Sequence, residues 1–146
     1  MTAQSVSVPH VSPLRKAAYF VELYLLYFWV ALRLKRHGMK EAAALCMRQR
    51  TFRGVGGGLS AEQFVFLTRD LTRSVIKWHV LPSTCVPDSL LPCWFLGRRG
   101  IKAEFIIMVR HFPFMAHAQA FWNDHALTDP PPEWSMQDKF VVLMRR

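Results

Sequence analysis

Apolar residues run almost without interruption through residues 17–34, and after residue 60 they recur at the three- and four-residue steps of an amphipathic helix. A polar tail with two prolines at residues 1–13, expected to be disordered, precedes a helix predicted from Leu14 to about Arg36. Gly38 is placed to end this helix. A second helix is predicted over residues 39–50, and the glycine-rich segment that follows is expected to be a flexible connection.

Two further helices are predicted before the sheet. Ser60 and Gln63 form a capping box that opens the third helix, which is predicted to end near His79. Its apolar residues mark one buried stripe: Phe64, Leu67, Leu71, Val75 and Trp78. A fourth helix is predicted over residues 85–99, because a proline-containing segment precedes it and Gly100 is placed to cap it.

After the fourth helix the sequence changes to the β-branched and aromatic runs typical of strands. Strands are predicted in IKAEFIIMV, in AHAQAFW and ALTD on either side of the turn pair Asn123-Asp124, and in FVVLM. Helices followed by a small antiparallel sheet predict an α+β fold. One domain is expected over residues 14–146, helical at about 14–99 and sheet at about 100–146.

The segment Ala17–Leu34 is apolar and approaches the length of a membrane span. A helix that is hydrophobic on all sides is either intramembrane or buried in protein, and Glu22 and three tyrosines favour burial. A third interpretation is that a partner covers part of this helix.

Charge and cysteine content limit the partners and the compartment. The formal net charge of +9 predicts attraction to something acidic, but the basic residues form no zinc-finger, RRM or helix-turn-helix pattern, so nucleic acid is not expected as a partner. Three cysteines without metal-ligand spacing, and no visible N-terminal signal, favour a cytoplasmic protein without a metal site. The segment RGVGGGLS lacks the Lys-Ser/Thr ending of a phosphate-binding loop, so no cofactor is expected.

The C-terminal half carries a cysteine, a histidine and an aspartate that could form one catalytic site. Cys85 is predicted at the start of a helix, where unpaired N–H groups and the helix dipole favour a thiolate. His117 stands near the start of a strand between two alanines that leave room for its imidazole. Asp129 ends the neighbouring strand, from which it can accept the imidazole N–H. Papain-like and transglutaminase-like enzymes combine a thiolate, a base and an orienting acid in this order.

Other candidates fit different roles. Cys46 and Cys93 are predicted inside helices as core thiols. His79 lies six residues before Cys85 and is a weaker candidate for the base. Asp124 is expected to be a turn residue that faces solvent.

Four landmarks follow one another over the 45 residues from the cysteine to the aspartate: Cys85 with Ser89-Leu90, RRGIKA, PFMAHA and Asp129. With these landmarks the stretch closely resembles the C-terminal protease part of lasso-peptide biosynthesis B proteins, a transglutaminase-like branch of the papain superfamily. The resemblance implies a leader peptidase in which Cys85 is the nucleophile, His117 the base and Asp129 the orienting acid.

Members of that family remove the leader from a ribosomally made precursor, after which an ATP-dependent cyclase closes the lasso ring. The chain is too short for a fused leader-recognition domain, so the resemblance implies the stand-alone protease of a split system. Its expected partners are the precursor peptide, a separate leader-recognition protein and, as a further candidate, the cyclase. The family usually has an aromatic residue in place of Gln119 and an acidic one near Phe121, and these departures concern substrate contacts.

Two other functions are compatible with the sequence. A transglutaminase-like acyl transferase would use the same three residues, since hydrolysis and transfer share a thioester at Cys85. A non-catalytic, basic or membrane-associated binding module would use none of them.

Overall fold

The structure is a computed structural model that describes residues 10–46, 48, 58–111, 114–129 and 141–145. Within these ranges the elements are α1 (Pro13–Cys46), α2 (Ala61–Trp78), α3 (Cys85–Gly97), β1 (Glu104–Arg110), β2 (Met115–Trp122), β3 (His125–Ala126) and β4 (Val141–Arg145). Three helices followed by a small antiparallel sheet confirm the predicted α+β fold. Most of the predicted N-terminal tail and the glycine-rich connection up to residue 57 lie outside the described residues.

The helix α1 is interrupted at Gly38, where the sequence predicts a stop. Gly38 has a φ of 75° and a ψ of 173°, a conformation that glycine adopts without steric cost. The two predicted helices on either side of it therefore follow each other directly. Within the described residues α1 is the one helix that is long and apolar enough to cross a membrane.

One side of α1 belongs to the protein core. Leu23, Leu26, Tyr27 and Val30 are buried at the spacing of a single helix face. On the same helix Glu22 forms ion pairs with residues just after α3, at 3.4 Å from Arg98 and 2.8 Å from Arg99. The charge inside the apolar segment is thus compensated within the protein.

The ends of α2 and α3 form as the sequence predicts. Ser60 and Gln63 exchange the two hydrogen bonds of a capping box at the start of α2. At the end of α3, Gly100 has a φ of 75°, its N–H donates to the carbonyl of Gly97, and the next N–H donates to Leu96. This is the Schellman arrangement, so Gly100 ends the helical segment where it was expected to.

The strands form one sheet in the order β3-β2-β1-β4. A two-residue turn joins β2 to β3, and both of its residues, Asn123 and Asp124, have positive φ as a type I′ turn requires. The predicted strand ALTD is wrong in its extent, because β3 ends at Ala126. Beyond it the chain stays beside β2, where the N–H of Leu127 donates to the carbonyl of Ala120 at 2.8 Å.

The core lies on both sides of α3, which packs on α1 and on the first two strands of the sheet. Its buried residues Leu90, Leu91, Phe95 and Leu96 belong to one apolar cluster with residues of α1, β1 and β2. The helix that begins at Cys85 is therefore held from two sides, which fixes the position of its N-terminus.

Candidate active site

A pocket of about 280 Å³ lies where α2, the start of α3, β2 and the segment after β3 meet. Cys85, His117 and Asp129 all line it. Its other polar lining residues include Arg73 and Lys77 of α2, Ser83, Asp88 and Ser89 near the start of α3, and Thr128. The three residues singled out in the sequence thus share one cavity.

Cys85 is the first residue of α3 and is partly buried. The residue before it, Thr84, has an extended backbone and makes no side-chain capping hydrogen bond. The first backbone bond of the helix runs from the N–H of Asp88 to the carbonyl of Thr84. The N–H groups of Cys85 and Val86 therefore have no acceptor within the helix, and the positive end of the helix dipole lies beside the sulfur.

Asp88 holds the segment that leads into Cys85. Its Oδ2 accepts a hydrogen bond of 2.5 Å from the hydroxyl of Ser83, and its Oδ1 accepts one of 2.7 Å from the hydroxyl of Tyr27 on α1. Burial raises the pKa of Asp88, and the two hydrogen bonds oppose that shift. Burial, followed by the hydrogen bond to Asp88, raises the pKa of Tyr27. Sequence reasoning missed this pair, since no local signal links residues 61 positions apart.

His117 lies on β2 opposite Met108 of β1 and is partly buried. Burial lowers the pKa of its imidazole below the ordinary 6.5, because the charged form loses hydration. The neutral imidazole that predominates at neutral pH is the form able to accept a proton from a thiol.

Ser89 joins the cysteine helix to the strand of the histidine. It lies one helical turn after Cys85, is 1% exposed, and donates a hydrogen bond of 2.9 Å to the carbonyl of Ala118. Its hydroxyl is also 3.5 Å from the hydroxyl of Thr128. Ala118 follows His117, and Thr128 precedes Asp129. The Ser89 hydroxyl therefore contacts the chain neighbours of both the histidine and the aspartate.

Gln119 links β2 to the segment that carries Asp129. Its side-chain amide donates to the carbonyl of Thr128 at 3.0 Å, and the N–H of Ala120 donates to the Thr128 hydroxyl at 3.2 Å. These bonds replace the backbone ladder where β3 has already ended. Gln119 is buried within the hairpin, where its side chain supports the backbone before Asp129.

Asp129 is paired with a residue that the sequence did not single out. Its Oδ1 accepts a hydrogen bond from Nη2 of Arg73 on α2, and the two groups form an ion pair. Both residues line the pocket. Sequence reasoning missed Arg73 because the placement of α2 over the pocket depends on tertiary packing.

Comparison with known proteins assigns the chain to a family. The sequence profile described as the transglutaminase-like superfamily matches residues 24–145, most of the chain. The chain belongs to this superfamily. The superfamily includes cysteine proteases and acyltransferases. No curated protein and no solved structure gives a significant match.

In this transglutaminase-like protein His79, the weaker candidate for the base, has a different environment. Its ring packs against Tyr24, Tyr27 and Phe28, with centroids 4.2 to 4.5 Å apart. Its Nδ1 accepts a hydrogen bond from the N–H of Leu81, and its Nε2 lies 3.3 Å from the carbonyl of Tyr24. Both ring nitrogens are thus engaged away from the residues that line the pocket.

The other cysteines of this transglutaminase-like protein are core residues, as predicted. Cys46 and Cys93 are buried and unpaired. Burial raises the pKa of Cys46 to about 12 and also raises the pKa of Cys93. Among the residues that the structure describes, no group of three or more His, Cys, Asp and Glu side chains is arranged to hold a metal ion.

Proposed function

We propose that this protein is a cysteine peptidase that removes the leader from a ribosomally synthesised lasso-peptide precursor. The observation that carries the proposal is the single pocket lined by Cys85, His117 and Asp129 in a transglutaminase-like chain. The resemblance of the segments RRGIKA and PFMAHA to lasso-peptide B proteins supports the narrower assignment.

In the first half of the reaction, neutral His117 takes the proton from Sγ of Cys85, and the thiolate attacks the carbonyl carbon of the scissile peptide. The backbone N–H of Cys85, at the positive end of α3, is the first donor to the developing oxyanion. The imidazolium then gives its proton to the leaving amine. The carbon–nitrogen bond breaks and the leader remains as a thioester on Cys85.

In the second half, His117 takes a proton from water, and the hydroxide attacks the thioester. The carbon–sulfur bond breaks, the leader leaves as a carboxylic acid, and the proton returns to the thiolate. Asp129 holds the imidazole in a productive orientation and stabilises its protonated form. No group other than water is consumed.

The size of the pocket supports a substrate that binds as an extended peptide. A cavity of about 280 Å³ is smaller than one that encloses a whole drug-sized ligand, so it suits one or two residues of a longer chain. The rest of the precursor must then be held elsewhere, and a separate leader-recognition protein would supply that binding.

Exposed apolar side chains along α1 support a docking surface for such a protein: Leu14, Val21, Leu25, Phe28 and Leu32. The net charge of +9 also favours an acidic partner. A pull-down with the recognition protein, with and without leader peptide, tests this part of the proposal. Absence of association in both conditions would contradict it.

Incubation of the protein with a candidate precursor and recognition protein, followed by mass spectrometry, tests the activity itself. Hydrolysis gives two fragments whose masses sum to the precursor plus one water, whereas acyl transfer gives a product with a new amide. We expect the hydrolysis products, and we expect them to vanish with Cys85→Ala. Cleavage by Cys85→Ala at the wild-type rate would refute the peptidase assignment.

A further inference from the structure

An ion pair at the wall of the pocket links α2 to the segment after β3. Arg73 donates through Nη2 to Oδ1 of Asp129, the carboxylate assigned above as the orienting acid. We propose that Arg73 is a positioning residue of the catalytic centre, which acts through Asp129 to set the orientation and charge of the carboxylate presented to His117. This inference rests on the proposed function and extends the site to α2.

Stability does not account for this ion pair. The side chains of Arg73 and Asp129 are 45% and 63% exposed, and water screens an ion pair that is so accessible. The pair therefore contributes little to the free energy of unfolding. Its location on the wall of a pocket that also holds Cys85 and His117 suits a role in catalysis.

The backbone and the side chain of Asp129 are held in different ways. Bonds from Gln119 and Ala120 to Thr128 fix the chain immediately before the aspartate. They leave its side-chain torsions free, and the bond from Arg73 restricts these torsions. With Oδ1 engaged by the guanidinium, Oδ2 is the oxygen available to an imidazole N–H.

Arg73 also compensates the charge of the carboxylate. An uncompensated carboxylate near His117 would favour the imidazolium, the form that cannot act as a base. A carboxylate paired with Arg73 still accepts a hydrogen bond but presents less negative charge. Other groups that line the pocket add to the field at the imidazole: Lys77 on α2, and Cys85 and Asp88 on α3.

Four variants and a control test the proposal: Arg73→Gln, Arg73→Lys, Asp129→Asn, the Arg73→Gln/Asp129→Asn double variant, and Arg69→Gln. Arg69 lies one turn earlier on α2 and pairs with Asp70, so its replacement removes the same charge without contact to Asp129. We expect Arg73→Gln to lower kcat about 10-fold while KM changes by less than about 3-fold. Arg73→Lys should recover part of the loss, because it restores the charge but not the fork geometry.

The pH dependence separates positioning from folding. Loss of Arg73 should raise the pKa of His117, so that the acidic limb of kcat/KM moves to higher pH, while Arg69→Gln should leave it in place. In the Asp129→Asn background, Arg73→Gln should change kcat by less than about 3-fold, because the group through which it acts has gone. An Arg73→Gln protein with the kcat and pH profile of wild type would overturn the proposal. An equal loss of kcat when Arg73→Gln is introduced into wild type and into Asp129→Asn would also overturn it.

An NMR titration of the His117 imidazole in the same variants needs no substrate. If wild type cleaves no precursor, the proposed function fails. The titration then decides the inference separately: a His117 pKa that rises in Arg73→Gln and not in the double variant supports it, and a pKa unchanged by Arg73→Gln refutes it.

Discussion

Ser89 donates a hydrogen bond of 2.9 Å to the carbonyl oxygen of Ala118, and this bond joins the helix that begins at Cys85 to the strand that carries His117. Both bonded residues are at most 1% exposed. Since both residues are buried, loss of the donor would leave a buried carbonyl without this partner. The relative position of thiol and imidazole therefore depends in part on a residue with no chemical role.

Replacement of Ser89 should affect both stability and catalysis. We expect Ser89→Ala to lower the free energy of unfolding by about 1–3 kcal/mol, as measured by urea denaturation. We expect kcat for precursor cleavage to fall about 10-fold, because small displacements of reacting groups are costly. Ser74→Ala is the control, since Ser74 makes a local bond to Asp70 on the exposed side of α2. Equal effects of the two substitutions would contradict the assigned role of Ser89.

Local signals in the sequence predict the elements well. The start of α3 at Cys85, the capping box at Ser60 and the turn at Asn123-Asp124 each depend on a few adjacent residues, and each forms as expected. The antiparallel pairing of β1, β2 and β3 follows from the short connections between them. The predicted end of β3 is wrong because Thr128 bonds to side-chain and backbone groups of β2 instead of extending the ladder of backbone hydrogen bonds.

The partners of the site residues were harder to predict. Tyr27 and Asp88 are separated by 61 positions, and Arg73 and Asp129 by 56. Such pairs depend on how α1 and α2 pack against α3, and no periodicity or motif in the chain specifies that packing. The sequence therefore indicates which residues carry chemistry, while the structure identifies those that hold them in place.

Tyr27 should stabilise the segment that precedes Cys85, through its hydrogen bond to Asp88. Its hydroxyl donates a hydrogen bond of 2.7 Å to Asp88, and the residue is 1% exposed. We expect Tyr27→Phe to lower the free energy of unfolding by about 1–2 kcal/mol. It should also lower kcat, because Asp88 holds Ser83 next to the start of α3. Tyr24→Phe is the control, and a Tyr27→Phe protein as active and stable as this control would argue against the role.

Loss of the base, His117, should lower the rate of precursor cleavage more than loss of the orienting acid, Asp129. His117→Ala should abolish precursor cleavage, because no proton acceptor remains for the thiol. Asp129→Asn should lower kcat less severely, since an amide can still contact the imidazole but stabilises its protonated form poorly. Rates of cleavage followed by mass spectrometry compare the two. Wild-type activity in either variant would overturn its assignment.

Stability should depend on pH through His117. The pKa of the folded imidazole lies below the 6.5 of the unfolded chain, so the unfolded state binds more protons between these two values. The contribution of His117 to stability is therefore fully present above pH 6.5 and is lost as the pH falls below it. We expect His117→Gln to flatten the dependence of unfolding free energy on pH below that value. His125→Gln, at an exposed strand position, is the control; a slope unchanged by His117→Gln would contradict the burial argument.

Alkylation should distinguish the three cysteines. Cys46 and Cys93 are buried and their pKa values are raised by burial, that of Cys46 to about 12, so few thiolates form at either position. Cys85 lies in the pocket at the positive end of a helix, so it should react with iodoacetamide in the native protein. Peptide mapping by mass spectrometry should find the label on Cys85 first, and His117→Ala should slow its reaction because the imidazole no longer accepts the thiol proton. Labelling of all three cysteines at one rate, in a protein shown to be folded, would contradict the burial of Cys46 and Cys93. It would also contradict the activation of Cys85 by its position at the helix N-terminus.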